Sequence, residues 1–221
     1  MEIPLKVVFT VQSRHPIAAD SLDHLIPHGT MKDNSRNPAF NRKLYSLISH
    51  RPLHIMDLGC SGGGFVKDCL DDGHVALGLE GSDYSLRHRR AEWATIPEAL
   101  FTCDITMPFT VLANGVRARF DAITAWEVME HIPEAGLPQL CGNVVVHLQD
   151  QGLWIASVST LNKPPHHVTV KAKEWWLAMF ANHGFENDEG IVSYFGDDWV
   201  RGPLQNAPES FHVVLRKKRG I

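Results

Sequence analysis

The stretch HIMDLGCSGGGF, residues 54–65, decides the fold. An apolar run ends on a carboxylate at Asp57, and glycines follow at 59, 62, 63 and 64. The run reads as a buried strand and the glycines as a tight turn into a helix. Such turns usually cradle phosphate, because free N–H groups and the helix dipole both present positive charge. Here Asp57 stands at the mouth of the turn, where a carboxylate repels a pyrophosphate and attracts a cation.

Outward from this stretch, strands and helices alternate, which is the pattern of a parallel sheet covered by helices on both faces. AFNRKLYSLISH (39–50) places Phe40, Leu44, Leu47 and Ile48 on one helical stripe. FVKDCLDDG (65–73) reads as a helix closed by a glycine, HVALGLE (74–80) as the second strand, and YSLRHRRAEWATI (84–96) as one continuous helix. A short third strand falls around ALFTCD, a fourth at FDAITAWEV (120–128), a helix in GLPQLCGNVVVHLQD and a fifth strand at QGLWIASVS (151–159). The prolines of TLNKPPHHVTV (160–170) mark a loop, KEWWLAMFANHGF (173–185) a helix, and ENDEGIVSYF with ESFHVVLRK a final antiparallel strand pair around a loop at 196–208. The expected fold is α/β: one doubly wound, mostly parallel seven-stranded sheet with a C-terminal antiparallel hairpin. Residues 1–38 fit the alternation poorly and are expected to be an N-terminal arm, packed along the sheet or partly disordered, or a lid over the site, with the main domain at 39–221.

Composition narrows the classes. The chain has 221 residues, 44% hydrophobic and 21% charged, enough for one core and ordinary for a soluble protein. No 18-residue apolar run is present to span a bilayer, and the acidic Glu2 disfavours a secretory signal, so a cytoplasmic protein is expected. A net charge of −4 argues against broad capture of nucleic acid. The basic runs RHRR (87–90) and RKKR (216–219) read as a solvated helix face and a charged end. Cysteines 60, 69, 103 and 141 lack CxxC spacing and suit buried, reduced thiols, and the thirteen histidines are not expected to hold a structural metal.

In open α/β sheets, ligands bind beyond the carboxyl ends of the strands, where strand order reverses. The second strand closes on Glu80, placed to accept both hydroxyls of a ribose; Asp104 ends the third, and Trp126 and Glu127 end the fourth. Each has a plainer alternative: Asp57 as a helix cap, Glu80 as a solvated strand end, Asp104 as a turn residue, Trp126 as core.

Taken in order, DLGCSGGGF, Glu80, the Asp104 segment and FDAITAWEVMEHI resemble the successive motifs of class I S-adenosylmethionine-dependent methyltransferases over roughly residues 40–217. HHVTVKAKEWWLAMFANHGFE is similar to the late segment of their small-molecule members. The resemblance implies S-adenosylmethionine as cofactor, a phosphate-free nucleoside bearing an ammonium and a sulfonium. It implies that Gly59 and Gly63 pass close to the methionine part and ribose, and that Asp57 steers the ammonium directly or through water. Glu80 would hold the ribose, Asp104 and Ile105 would flank the adenine, and Trp126 would lie near the methionine moiety. Ser61 occupies a position where the family usually has glycine, so the loop is expected to be wider there or Ser61 itself to hydrogen bond.

Methyl transfer from a sulfonium mainly requires alignment and exclusion of water. For a hydroxyl acceptor a general base helps: His131 in EVMEHIP is the first candidate, His166 and His167 the second. A packing histidine and a plain surface loop are the alternatives. DPPY, NPPY and Pro-Cys motifs are missing, which leaves a small molecule or a sugar of a glycan, with O-methylation preferred and Trp175 or Trp176 available to face it. The competing classes are a nicotinamide-dependent oxidoreductase, which needs a pyrophosphate beside Asp57, and a non-catalytic binding protein of the same fold.

Overall fold

The structure, a computed structural model, describes residues 7–48, 52–204, 207 and 209–218. The start of the N-terminal arm, the end of the 39–50 helix, part of the 196–208 loop and Arg219 of the basic run lie outside the described residues.

Strand β1 (Phe9–Ser13) precedes two single-turn helices, α1 (Leu22–Leu25) and α2 (Gly29–Lys32). Helix α3 (Pro38–Leu47) starts on Asn37, whose side chain caps the amides of Ala39 and Phe40, with Pro38 in the first turn where no N–H is needed. The expected order follows: β2 (His54–Leu58), α4 (Gly64–Asp71), β3 (Val75–Glu80) and the short β4 (Leu100–Thr102). A hairpin of β5 (Phe109–Ala113) and β6 (Val116–Arg117) intervenes before β7 (Phe120–Trp126), α6 (Leu137–His147) and β8 (Leu148–Ser159). Helix α7 (Lys173–Asn182), β9 (Phe185–Asn187), α8 (Glu189–Phe195) and β10 (Ser210–Lys217) complete the chain.

The main sheet has seven strands in the order β4-β3-β2-β7-β8-β10-β9. Strands β4, β3, β2, β7 and β8 run parallel, and β10 is antiparallel to both β8 and β9. Order reverses between β2 and β7, and this places the crevice over the ends of those two strands. Both faces are buried, so successive residues feed opposite cores: Met56, Leu77, Ile123 and Trp154 on the α6/α7 side, Ile55, Ala76, Ala122 and Leu153 on the α3/α4 side.

Three elements differ from the sequence expectation. The 84–96 segment is not one helix: α5 (Tyr84–Arg87) stops, Arg89 and Ala91 take left-handed backbone (φ 46° and 47°), and a 3₁₀ turn resumes at Ala91–Ala94. The break turns two side chains inward. The Arg90 guanidinium donates to the Ser85 hydroxyl, the Asp33 carbonyl and Ser61 Oγ, and Trp93 Nε1 donates to the Ser61 carbonyl at 2.7 Å. RHRR is therefore not simply a solvated face.

ENDEGIVSYF is a strand only over its first residues; Asp188 then caps the Ile191 amide at 3.1 Å and α8 begins. Finally, β1 and β5 pair antiparallel, with β6 beyond, in a second, three-stranded sheet that the sequence reading missed. It packs on the α6/α7 core through Phe9, Phe109 and Val111, and residues 9–13 of the N-terminal arm are held by it. The four cysteines are free and buried, as expected.

Candidate active site

A cavity of about 630 Å³ opens over the carboxyl ends of β2, β3 and β7. Residues from 15 to 33, the 159–167 loop and Arg201 complete its wall. Of the residues singled out in the sequence, Gly59, Ser61, Glu80, Asp104, Ile105, Trp126, His131, His166 and His167 all line it. Asp57 and Gly63 do not.

Asp57 sits 3% exposed in the sheet, in register with Thr124 of the neighbouring strand, whose hydroxyl donates to its Oδ1 at 2.6 Å. Burial pushes its carboxyl up to about 8, against the lowering effect of that hydrogen bond. The sheet register hands one carboxylate oxygen to Thr124, at a position that does not line the cavity. Because the folded-state value lies above the unfolded one, the group's contribution to stability is fully present below the unfolded pKa, roughly 3.9, and is lost as pH rises towards 8. Asp57→Asn is neutral at every pH and can still accept from Thr124. In the cofactor-free chain, its stability relative to wild type should rise by about 1 kcal/mol or more between pH 5 and pH 8 in urea unfolding. Parallel pH profiles for the two proteins would contradict this.

Gly63 caps the start of α4 and faces Leu100 and Glu92 rather than the cavity. Gly59 does meet the cavity; a Cβ there would lie 2.4 Å from Val128 Cγ2. Ser61, at φ 46°, takes the left-handed conformation that suits glycine, and its hydroxyl is tied to Arg90 and to the Asp33 carbonyl at 2.9 and 3.1 Å.

The glycines at 62 and 64 have a different cause. A Cβ on Gly62 would lie 2.4 Å from Asn34 Oδ1 and 2.8 Å from the Asp33 carbonyl, and one on Gly64 would lie 2.7 Å from the Asn34 carbonyl. The chain's own segment 33–36 lies across the outer face of the turn. Arg36 ties this strap to Asp68 and Glu92, while Arg201 pairs with Asp33 at 2.6 Å from the opposite side.

Glu80 is 5% exposed and accepts two backbone N–H bonds, from Ser61 at 2.8 Å and Ser82 at 3.0 Å. One falls on each oxygen. A carboxylate carries about four acceptor positions, so each oxygen keeps room for a hydroxyl from the cavity. Burial raises its pKa, opposed by those two amides. Asp104 Oδ1 accepts from Thr106 N and Oγ1 at 2.9 and 2.6 Å, so Asp104 shapes a turn as well as lining the cavity. Trp126 stands edge-on to Phe40 with ring centroids 5.0 Å apart, and its buried indole N–H has no acceptor. It is core and wall at once. Trp176 is buried in the α6/α7 core and Trp175 lies under Lys171; neither lines the cavity, which corrects their proposed contact with an acceptor.

At the other end, Met129–His131 forms a 3₁₀ turn. His131 Nδ1 stands 2.8 Å from Asp23 Oδ2, and His166 Nδ1 3.7 Å from Asp23 Oδ1. Burial lowers the His131 pKa, but the Asp23 bond and the nearby Glu130 charge raise it overall. His167 Nδ1 lies 2.7 Å from the Leu161 carbonyl, and burial lowers its pKa. His24 and His28 stand four apart in sequence yet turn to different partners, Asp83 and His166. Asp23, Asp33 and Arg201 belong to no motif, and Arg90 stood out only as the end of the RHRR run; tertiary packing brings all four here.

The model of a methyltransferase domain family matches residues 33–198, and the chain belongs to that family. A ubiquinone biosynthesis O-methyltransferase of Alkalilimnicola ehrlichii is 24% identical over 168 residues, 76% of this chain and 63% of that protein. One of Bartonella quintana is 29% identical over 141 residues, 64% of this chain and 51% of the relative. The chain thus spans between half and two thirds of these relatives. Among solved structures, a TehB-like SAM-dependent methyltransferase of Corynebacterium glutamicum matches at TM-score 0.58 and 19% identity, covering 81% of this chain and 88% of that one. A 1,6-didemethyltoxoflavin-N1-methyltransferase of Burkholderia thailandensis, solved with S-adenosylhomocysteine, matches at 0.56 and 16%, covering 82% and 79%. At these identities the structures share the fold. That fold is the doubly wound, mostly parallel α/β domain with a C-terminal antiparallel hairpin expected from the sequence.

Proposed function

We propose that the chain binds S-adenosylmethionine in this cavity and catalyses methyl transfer to an oxygen of a small acceptor. The observation that carries the reading is Glu80: buried, backed by two amides and facing a crevice at the switch point. The curated relatives, named as O-methyltransferases, support oxygen as the accepting atom. The residues fit the cofactor. Glu80 accepts the two ribose hydroxyls, Gly59 and Ser61 supply a close backbone, Asp104 and Ile105 flank the base, and the orphaned Trp126 N–H is a donor awaiting an acceptor.

When bound, the cofactor supplies an activated methyl on a sulfonium. The protein's task is placement and dryness. Residues 15–36 act as the lid, fastened by Arg36, Arg90 and Arg201, and exclude water from the transfer. The cluster of Glu130, His131 and His167 stands at the acceptor end and manages the acceptor proton, and His166, stacked on His28, contacts the acceptor. The acidic wall of Asp23, Asp33, Glu80 and Asp104 disfavours polyphosphate and nucleic acid, so sugars and other small hydroxyl compounds are the acceptors to try.

Calorimetric titration with S-adenosylhomocysteine and with NAD, followed by assay of label transfer from methyl-labelled S-adenosylmethionine to hydroxylated acceptors, tests the reading. Micromolar binding of the first, none of NAD, and label on an acceptor oxygen are expected. Binding of NAD alone would turn the chain into an oxidoreductase; cofactor binding with no acceptor labelled would leave a non-catalytic binding protein.

A further inference from the structure

Arg201 lines the cavity from the 196–208 loop, and its guanidinium is only partly used. Nη1 donates to Asp33 Oδ1 at 2.6 Å, whereas Nε is buried without an acceptor. A buried, charged N–H without an acceptor is costly and marks a missing partner. The edge that the Asp33 contact leaves over, Nε with Nη2, is the two-pronged edge by which an arginine takes both oxygens of a carboxylate.

Both partners of this ion pair are fixed by the fold. The His212 ring stacks on Trp199 with centroids 4.0 Å apart, and its Nε2 donates to the Arg201 carbonyl at 2.7 Å. Asn37 Nδ2 donates to the Trp199 carbonyl at 2.8 Å, so the loop carrying Arg201 is pinned to β10 and to the start of α3. Asp33 sits on the glycine turn: its carbonyl accepts from Ser61 Oγ at 3.1 Å and from Arg90 Nη2 at 2.6 Å. Its two side-chain bonds, from Arg201 and from Ser35 Oγ, both fall on Oδ1, which leaves acceptor capacity on Oδ2.

Strand order decides which part of a ligand meets the pair. Along the crevice, β4, β3, β2 and β7 present Asp104, Glu80, Ser61 and Trp126 in turn. Asp33 is tied to Ser61, and Arg201 reaches Glu127 after β7, where burial raises the carboxyl pKa and the Arg201 charge opposes it. The pair therefore stands beyond Glu80, on the side away from Asp104. With the ribose on Glu80 and the base beside Asp104, what remains for it is the α-amino-acid end of the cofactor, a carboxylate and an ammonium.

We propose that Arg201 and Asp33 receive this zwitterion, the carboxylate on the Nε–Nη2 edge of Arg201 and the ammonium on Asp33 Oδ2, so that the amino-acid end fastens the strap at 33–36 to the 196–208 loop. The assignment rests on the cofactor reading proposed above. An ion pair at a cavity wall complements a zwitterion, and when the ligand leaves, each charge keeps the other as its partner. The two residues stand 168 apart in sequence, beyond the reach of any motif.

The test compares S-adenosylhomocysteine with 5′-methylthioadenosine, which keeps the nucleoside and the sulfur but lacks the amino acid, by calorimetric titration of the full chain. The wild type is expected to bind the first at least ~10-fold more tightly. Arg201→Met should cut that ratio to about threefold or less by weakening the first ligand alone, and Asp33→Asn should lower it in the same way. Lys163→Met should leave it unchanged, because this cation lines the acceptor end of the cavity, where its carbonyl accepts from the His167 amide. Limited proteolysis of the wild type needs no variant: S-adenosylhomocysteine should slow cleavage between residues 15 and 36, and 5′-methylthioadenosine should not. Equal wild-type affinities for the two ligands, or an Arg201→Met variant that weakens both alike, overturns the assignment while the pocket stands. A chain that binds neither ligand loses the cofactor reading and this one with it.

Discussion

Glu80→Ala is expected to weaken S-adenosylhomocysteine binding by ~10- to 100-fold or more and to lower the stability of the cofactor-free chain by roughly 2–4 kcal/mol. Two losses combine. Removing the carboxylate takes away the acceptor for the ribose hydroxyls and also strands the Ser61 and Ser82 amides, which it holds at 2.8 and 3.0 Å in a buried setting. Glu80→Gln separates them, because its carbonyl can serve one amide while its NH₂ faces the other donor; intermediate stability and a clear affinity loss are expected. Calorimetry and urea unfolding read both quantities. An alanine variant with unchanged affinity would remove Glu80 from the binding site.

Gly62→Ala should destabilise the chain by about 1–3 kcal/mol, the usual cost of overpacking, and speed the release of bound cofactor. Its backbone is not left-handed, so conformational strain is not the cause. The new methyl would strike the Asp33 carbonyl at 2.8 Å, and relief requires the strap at 33–36 to lift off the turn. Lifting breaks the contacts of Arg90 with Asp33 and of Arg201 with Asp33, which hold the proposed lid. Gly29→Ala is the control: nothing lies within 4 Å of its Cβ, and a helical alanine there should be neutral or slightly stabilising. Limited proteolysis reports the lid directly, with faster cleavage between residues 15 and 36 in Gly62→Ala alone.

Much of the fold was legible because burial on both faces makes strands such as β7, FDAITAW, read as continuous apolar runs. Strand-end carboxylates at Glu80 and Asp104 were legible for the same reason: they stop the run. What escaped came from contacts distant in sequence. Strand β1 pairs with β5 a hundred residues away, so its partner was invisible, although Asn114-Gly115, both at positive φ, is a recognisable hairpin turn. Ile191 and Val192 favour a strand by composition, yet Asp188 and Glu189 before them are the cap and first-turn charge of a helix. The role of the glycines was half legible. A bare backbone signals close approach, but at Gly62 and Gly64 what approaches is the chain's own strap. The contact of Asp57 with Thr124 was not legible, because Thr124 becomes its neighbour only through the sheet register.

The central claim is that the crevice over β2, β3 and β7 receives a phosphate-free nucleoside held through Glu80. A crystal structure of the chain grown with S-adenosylhomocysteine tests it most directly. Both ribose hydroxyls should be found on the Glu80 carboxylate, with the base beside Asp104 and Ile105 under residues 15–33. A nucleoside lodged elsewhere, with Glu80 touching only the Ser61 and Ser82 amides, would contradict it.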